Sequence, residues 1–208
     1  MLKVHGDVRS GNSYKVALTL HQLGLPHEWV VVDLFDGSTR TAEFRARNPL
    51  GKLPLLEVEE GVYLRESNAI LCYLARGTPL LPDAPLEQAR VLQWLFYEQH
   101  DHEPNIAGAH VIASFLGRPE KREETLQKKL YLGYGVLGRM EEHLAERSFF
   151  VGEHCTIADI ALYAYTHIAH EATFDLSDYS ALNAWLQRVR DEPGHVSRES
   201  LLEEQARR

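Results

Sequence analysis

Asn48-Pro49-Leu50-Gly51-Lys52-Leu53-Pro54, followed by Leu55-Leu56-Glu57-Val58, is the stretch on which the reading of this chain turns. Asn-Pro followed by Leu-Gly marks a tight turn. The apolar run after Pro54 reads as a strand. A proline at the entrance of a strand cannot donate to the ladder, so it takes an edge, a first position or a bend. A cis Leu53–Pro54 bond at this point turns the N–H and C=O of Leu53 outward, where an extended peptide can pair with them.

Further along come Arg65-Glu66-Ser67-Asn68 and then Ala69 to Ala75, which reads as a helix closed by Gly77. Ser67 therefore stands at a helix N-terminus. Its hydroxyl and the unpaired N–H groups there suit a carboxylate. Glu66 beside it suits an ammonium. The two together fit the head of an α-amino acid, and with Leu53 as a backbone clamp they imply a short peptide ligand with a free amino-acid end.

Asn-Pro-x-Gly-Lys-x-Pro, then a β-hairpin, then Glu-Ser opening a helix, resembles the glutathione-binding half of the glutathione S-transferase family. The resemblance implies that Pro54 is cis and that the backbone of Leu53 holds the cysteinyl unit of glutathione. It also implies that Glu66 and Ser67 hold the γ-glutamyl head and that Lys52 reaches the glycine carboxylate.

The chain has 208 residues, enough for one large domain or two small ones, and 44% hydrophobic residues, enough for a sizeable core. A net charge of −8 argues against nucleic acid or an anionic membrane as partner. No apolar run reaches the ~18 residues of a membrane span, and the first residues do not read as a signal peptide. Two cysteines, Cys72 and Cys155, supply neither a disulfide framework nor metal-ligand spacing. A cytoplasmic location is the simplest expectation.

Taken in order, residues 2–5 read as a strand. A helix from Ser13 or Tyr14 to Leu23 follows, then a buried strand over 28–32, a short helix over 42–47, and a hairpin turning at Glu59-Glu60-Gly61. A helical crossover makes the first two strands parallel, and the hairpin adds antiparallel ones. That βαβαββα order resembles the thioredoxin fold and sets a first domain over 1–77. The proline-rich segment 78–85 reads as a linker. Residues 86–208 read as an all-helical second domain. Within it lie one long helical pattern over 86–116 kinked at Pro104, a helix begun by Pro119, and a glycine-bearing stretch with Gly133, Gly135 and Gly138. Thr156-Ile157-Ala158-Asp159 reads as a capping box opening another helix, assigning Asp159 to folding and not to catalysis. The tail, His195 to Arg208, is polar and reads as an outer helix or as partly disordered.

The chemistry is expected where the first helix begins, at Ser10-Gly11-Asn12-Ser13-Tyr14. No thiol lies there, so the protein's own dithiol exchange is excluded at this point. A hydroxyl, an amide and a helix N-terminus remain, which suit the stabilising of another molecule's thiolate. A free thiol titrates at about 8.5. One hydrogen bond to the charged form, worth roughly 1.5–3 kcal/mol, lowers that by about one to two units, and the helix dipole adds some tenths to 1 kcal/mol. By resemblance to bacterial serine-type, nu-like members, Ser10 and Asn12 are the candidate catalytic residues; Ser13 is the runner-up or a cap.

His100-Asp101-His102 places its imidazoles about 200° apart on a helix, and His167 with His170 lacks a third ligand, so no metal is expected. By family architecture His102, Asn105, Ile106 and His110 are candidates for lining a second-substrate pocket. The function implied is a glutathione S-transferase acting in detoxification, attacking a small hydrophobic electrophile with bound glutathione as co-substrate and no permanently bound cofactor. A glutathione-dependent disulfide or peroxide reductase without a catalytic cysteine, and a non-catalytic ligand-binding scaffold, are the alternatives. The resemblance also implies a homodimer.

Overall fold

The computed structural model describes residues 1–207. They form two compact units, one of Met1–Arg76 with the tail from Glu192 onward and one of Gly77–Asp191.

The first unit is built on a four-stranded sheet in the order β2-β1-β3-β4. Its strands are β1 (Leu2–Gly6), β2 (His27–Val31), β3 (Leu55–Glu59) and β4 (Val62–Arg65). β1 pairs with β2 in parallel and with β3 antiparallel, and β3 pairs with β4 antiparallel. This is a thioredoxin-like mixed sheet. Helices α1 (Gly11–Gln22), α2 (Ala42–Arg47) and α3 (Ser67–Ala75) complete the βαβαββα order. Val4, Leu18, Leu56, Ile70 and Leu71 are fully buried in its core. Gly6 lies against the Trp29 ring: an added Cβ would come within 2.8 Å of it, so a side chain is excluded there.

β2 differs from the expected buried strand. It is an edge strand with one neighbour, and Val31 is 40% exposed. Its β-branched content reflects pairing propensity, which does not depend on being covered on both faces.

The tail departs further from the expected boundary of the helical domain. α9 (Arg198–Ala206) belongs to the first unit. The Tyr14 hydroxyl donates to the Val196 carbonyl at 2.9 Å. Gly194, at φ 74°, lies so close to the end of α1 that a Cβ would meet Gln22 Cα and the His21 carbonyl at 2.8 Å.

The second unit is helical: α4 (Pro85–Tyr97), α5 (Glu103–His110), α6 (Glu123–Leu144), α7 (Ile157–Thr166) and α8 (Ser180–Arg190). The segment before α4 is tied to this unit, since the Ile157 amide donates to the Leu80 carbonyl at 2.9 Å. The expected kinked helix over 86–116 is instead α4 and α5 joined through a π-helical segment, Glu98–His102, with a second one at Val111–Phe115. Pro104 falls in the first turn of α5, where its missing N–H is tolerated. Pro119 leads into a 3₁₀ turn, Glu120–Arg122, before α6. α6 is unbroken across its three glycines. Gly133 serves packing, because a Cβ there would strike Phe174 at 2.5 Å, whereas Gly135 and Gly138 have nothing within 4 Å.

Asp159 is the hub of this unit. One carboxylate oxygen accepts from the Phe150 amide at 3.0 Å and the Trp185 indole at 3.0 Å. The other accepts from the Thr156 amide and hydroxyl, both at 2.9 Å. The capping box read from Thr156 and Asp159 is present, and the helix it opens starts at Ile157. Among the described residues no helix is long and apolar enough to cross a membrane.

Candidate active site

The pairing of the sheet decides where the site forms. β1 runs out, β3 enters and β4 runs out at one end of the sheet, because β1 and β3, and β3 and β4, are antiparallel. The registers His5↔Leu55 and Leu55↔Arg65 therefore gather three segments there: the loop from Asp7 to Ser10, the Lys52-Leu53-Pro54 stretch, and Glu66-Ser67. The sheet ladder begins at Leu55, which leaves the Leu53 amide and carbonyl outside it.

The Leu53–Pro54 bond is cis. The turn before it is held by Asn48, whose side-chain amide donates to the Lys52 carbonyl at 2.8 Å and whose carbonyl Oδ1 accepts from Leu50 N at 3.2 Å. Gly51 adopts φ 60°, and a Cβ there would come within 2.8 Å of the Thr39 carbonyl, so both its conformation and its surroundings require glycine. Pro54 is buried and Lys52 exposed.

At α1, Ser10 occupies the N-cap in extended conformation, φ −82° and ψ 123°, so the helix begins earlier than its apolar pattern indicates. The Ser10 carbonyl accepts from the amides of Ser13 and Tyr14 at 3.0 and 2.9 Å. Its hydroxyl makes no capping bond to the helix. Ser13 is fully buried, and its hydroxyl accepts from the Asp7 amide at 3.3 Å. Ser13 thus braces the loop from behind.

At α3, Glu66 takes φ 67° and ψ 111°, a conformation that non-glycine residues seldom adopt and that is often kept at functional sites. It carries no side-chain cap. The buried Ser67 hydroxyl donates to Asn12 Oδ1 at 3.1 Å, which joins the starts of α1 and α3. A second tie lies one residue on: Lys15, fully buried, donates to Asn68 Oδ1 at 2.8 Å. An ammonium at this depth requires polar partners.

The loop carrying Ser10 is organised by Asp7, fully buried. Its carboxylate accepts from the Arg9 amide at 3.0 Å, from Arg9 Nε at 3.0 and 2.9 Å, from Arg9 Nη2, from the Leu34 amide at 3.0 Å and from Gln205 Nε2 at 3.0 Å. Burial pushes this carboxyl up, but the hydrogen bonds from Arg9, Gln205 and the loop amides outweigh it and hold it below the usual carboxylate range. Arg9 also donates to Asp33 at 2.8 Å, and the two carboxylates hold its guanidinium firmly protonated.

Ser10, Asn12, Leu53, Pro54, Glu66 and Ser67 thus belong to segments that meet at one end of one sheet. The residues considered for a second-substrate pocket are otherwise engaged. His102 is fully buried with Nε2 at 2.8 Å from the Thr166 hydroxyl, and His110 Nε2 lies 2.7 Å from Glu171. Ile106 is in the core, and the Asn105 amide donates to the Asp101 carbonyl. Asp7, Arg9, Lys15 and Asn68 were missed by sequence reasoning. Asp7-x-Arg9 just before the Ser10 turn is the local signal from which the first two could have been found.

A thioredoxin-like unit with two helix N-termini and a proline-preceded strand converging at one end of its sheet, continued by a helical unit, defines a class of two-part proteins. Within that class, the model of the glutathione S-transferase N-terminal domain matches residues 9–76 and that of the C-terminal domain residues 102–193. The chain belongs to the glutathione S-transferase family. It is similar to the crystal structure of a glutathione S-transferase from Pseudomonas fluorescens, with 52% identity and a TM-score of 0.93 over 95% of this chain and 98% of that one. Glutathione S-transferase 3 of Zea mays is 36% identical over 76% of this chain and 73% of its own length. Disulfide-bond oxidoreductase YfcG of Escherichia coli is 30% identical over 88% of this chain and 87% of its own.

Proposed function

We propose that this chain is a glutathione transferase that binds glutathione at the end of its sheet and presents it as a thiolate to a small hydrophobic electrophile. The observation that carries the reading is the hydrogen bond from Ser67 to Asn12, which brings the uncapped starts of α1 and α3 to one place. In this reading the Leu53 backbone, next to the cis Pro54, pairs with the cysteinyl unit. Glu66 and Ser67 take the ammonium and carboxylate of the γ-glutamyl head, and Lys52 takes the glycine carboxylate. Ser10 donates its hydroxyl to the sulfur, and Asn12 orients the site through Ser67 and the first turn of α1. The thiol proton leaves to solvent. The thiolate pair then forms the new S–C bond as the electrophile's leaving group departs or its double bond takes up a proton.

The test is calorimetric titration with glutathione near neutral pH in buffers of different ionisation enthalpy, on wild type, Ser10→Ala and Asn12→Ala. The wild type is expected to release close to one proton on binding. Ser10→Ala is expected to bind with similar affinity, release a smaller fraction and turn over roughly 10- to 100-fold more slowly at neutral pH. Equal loss of affinity and turnover would remove the role given to Ser10. Failure of the wild type to bind would leave the scaffold reading.

A second reading, reduction of disulfides or peroxides by glutathione, is supported by the likeness to a protein named a disulfide-bond oxidoreductase. One glutathione thiolate attacks a disulfide sulfur and expels a thiolate. A second glutathione then attacks the mixed disulfide, giving oxidised glutathione. Neither cysteine of the chain suits this work, for burial raises the Cys72 thiol and Cys155 is buried. Disulfide reduction surviving in Cys72→Ser/Cys155→Ser supports the reading; none in the wild type removes it. We further infer a cytoplasmic homodimer with a role in detoxification, which analytical ultracentrifugation and cell fractionation test in their respective parts.

A further inference from the structure

The loop that delivers Ser10 is gripped by the C-terminal helix. Gln205 of α9 takes hold of it twice: its Oε1 accepts from the Val8 amide at 3.1 Å, and its Nε2 donates to Asp7 at 3.0 Å. Arg198, 6% exposed, donates from Nε to the Val8 carbonyl at 3.3 Å and from Nη2 to the Arg9 carbonyl at 3.4 Å. Both sides of the Val8 residue's backbone, and the carbonyl bonded to the nitrogen of Ser10, are thus engaged by one helix about 190 residues away in sequence. The remaining anchors of Ser10 are its amide, donating to the Asp7 carbonyl at 2.9 Å, and its own carbonyl at the start of α1. A guanidinium this deeply buried is costly unless it is well bonded. α9 needs no such residue merely to dock, since Leu201 is already buried against the unit and Ser197 caps the helix.

We propose that Arg198 and Gln205 are positioning residues for thiol activation: by holding the Val8 and Arg9 peptide groups they set the N-cap geometry from which the Ser10 hydroxyl is aimed at the bound sulfur. This rests on the transferase reading of Ser10 given above. A hydroxyl contributes to thiolate stabilisation only within hydrogen-bond range and direction, so slack in the peptide before it weakens activation and leaves untouched the groups assigned to the glutathione backbone. α9 touches none of Lys52, Leu53, Glu66 or Ser67 by any hydrogen bond among the described residues.

The experiment is the pH dependence of kcat/KM for conjugation of a chloronitrobenzene electrophile, with KM for glutathione, on full-length wild type, Ser10→Ala, Arg198→Met, Arg198→Lys, Gln205→Ala and the Ser10→Ala/Gln205→Ala pair. Arg198→Met and Gln205→Ala are expected to move the activity profile to higher pH. A shift of one unit means about a tenfold loss on the acidic side and near recovery above it, with KM for glutathione changed less than about twofold. Arg198→Lys, which keeps charge but not the two-point contact, is expected to fall between wild type and Arg198→Met. Adding Gln205→Ala to Ser10→Ala is expected to shift the profile no further, because residues acting through one group are not additive. A uniform loss at all pH values, a matching rise in KM, a full additive effect in the pair, or an unmoved profile overturns the proposal. Should Arg198→Met not fold, Gln205→Ala, at a partly exposed position, carries the same test. An unmoved profile in Ser10→Ala itself brings down the reading of Ser10, and the role of α9 with it. A shift in Ser10→Ala alone brings down only the role of α9.

Discussion

Asp7 and Asp159 are both fully buried, one in each unit, and they are held in opposite ways. Asp7 faces a guanidinium, a side-chain amide and two backbone amides. Among the described residues Asp159 faces four donors and no cation: two amides, a hydroxyl and an indole. The Asp7 carboxyl is accordingly held low, whereas burial carries that of Asp159 up to about 6 against the pull of its donors. The difference matches what each must hold. Asp159 starts a helix inside a core, where neutral donors are the backbone groups that need a partner. Asp7 shapes the loop at the end of the sheet where α1 begins, and its cation Arg9 is shared with Asp33 so that the turn is tied from two sides.

Removing each hub tests that contrast. Asp159→Ala orphans four buried donors at about 1–3 kcal/mol each, so a loss of about 4 kcal/mol or more is expected in urea unfolding. The pH profile of catalysis by the protein that does fold should stay in place. A loss below ~1 kcal/mol would mean that water or neighbouring groups replace the carboxylate.

Asp7→Asn should cost less, about 2–3 kcal/mol for a charge-assisted bond lost, because Arg9 keeps Asp33. Unlike the Asp159 change, it should shift the activity profile to higher pH by loosening the Ser10 loop. If both variants altered stability alone, the division between a site hub and a core hub would fail.

The two carboxyls also predict opposite pH trends. Asp159, raised from 3.8 to about 6, contributes stability that is fully present below pH 3.8 and is lost as pH rises through 6. Asp7, lowered from 3.8, contributes stability present above that value and lost as pH falls through its depressed folded value. The unfolding free-energy difference between wild type and Asp7→Asn should therefore grow as pH rises from 3 to 5. That between wild type and Asp159→Asn should shrink between 4 and 7. Parallel trends in the two series would sink the contrast.

The smallest effect compares two N-caps. Thr156 accepts from the Ala158 amide, so Thr156→Ala should cost about 1 kcal/mol. Ser10 makes no capping bond, so Ser10→Ala should change stability by less than about 0.5 kcal/mol while changing the chemistry. A loss equal to that of Thr156→Ala would show Ser10 to be a cap.

Much of this was legible before any coordinates. Local residue types dictated the Asn48 to Pro54 turn, the helix opening at Ser67 and the Thr156–Asp159 box, because turns and caps are satisfied within a few residues of chain. The βαβαββα order followed from strand and helix periods, and the thioredoxin fold from the resemblance of that order. The long helical pattern around Pro104 was read as one kinked helix, because a π-helical segment has no compositional mark. The burial of His102 and His110 was not legible, because the direction a helical side chain takes depends on which neighbours pack against it.

By itself the sequence determined the elements, the turn into Pro54, the helix start at Ser67 and the absence of a thiol at the first helix, since each rests on short-range chemistry. Only the tertiary structure decided that Ser67 meets Asn12, that Asp7 and Arg9 shape the Ser10 loop, and that the polar tail returns to hold that loop. Those contacts join residues between 2 and 198 positions apart through backbone groups and buried charges. No periodicity encodes such pairings; they exist once the sheet has set its register.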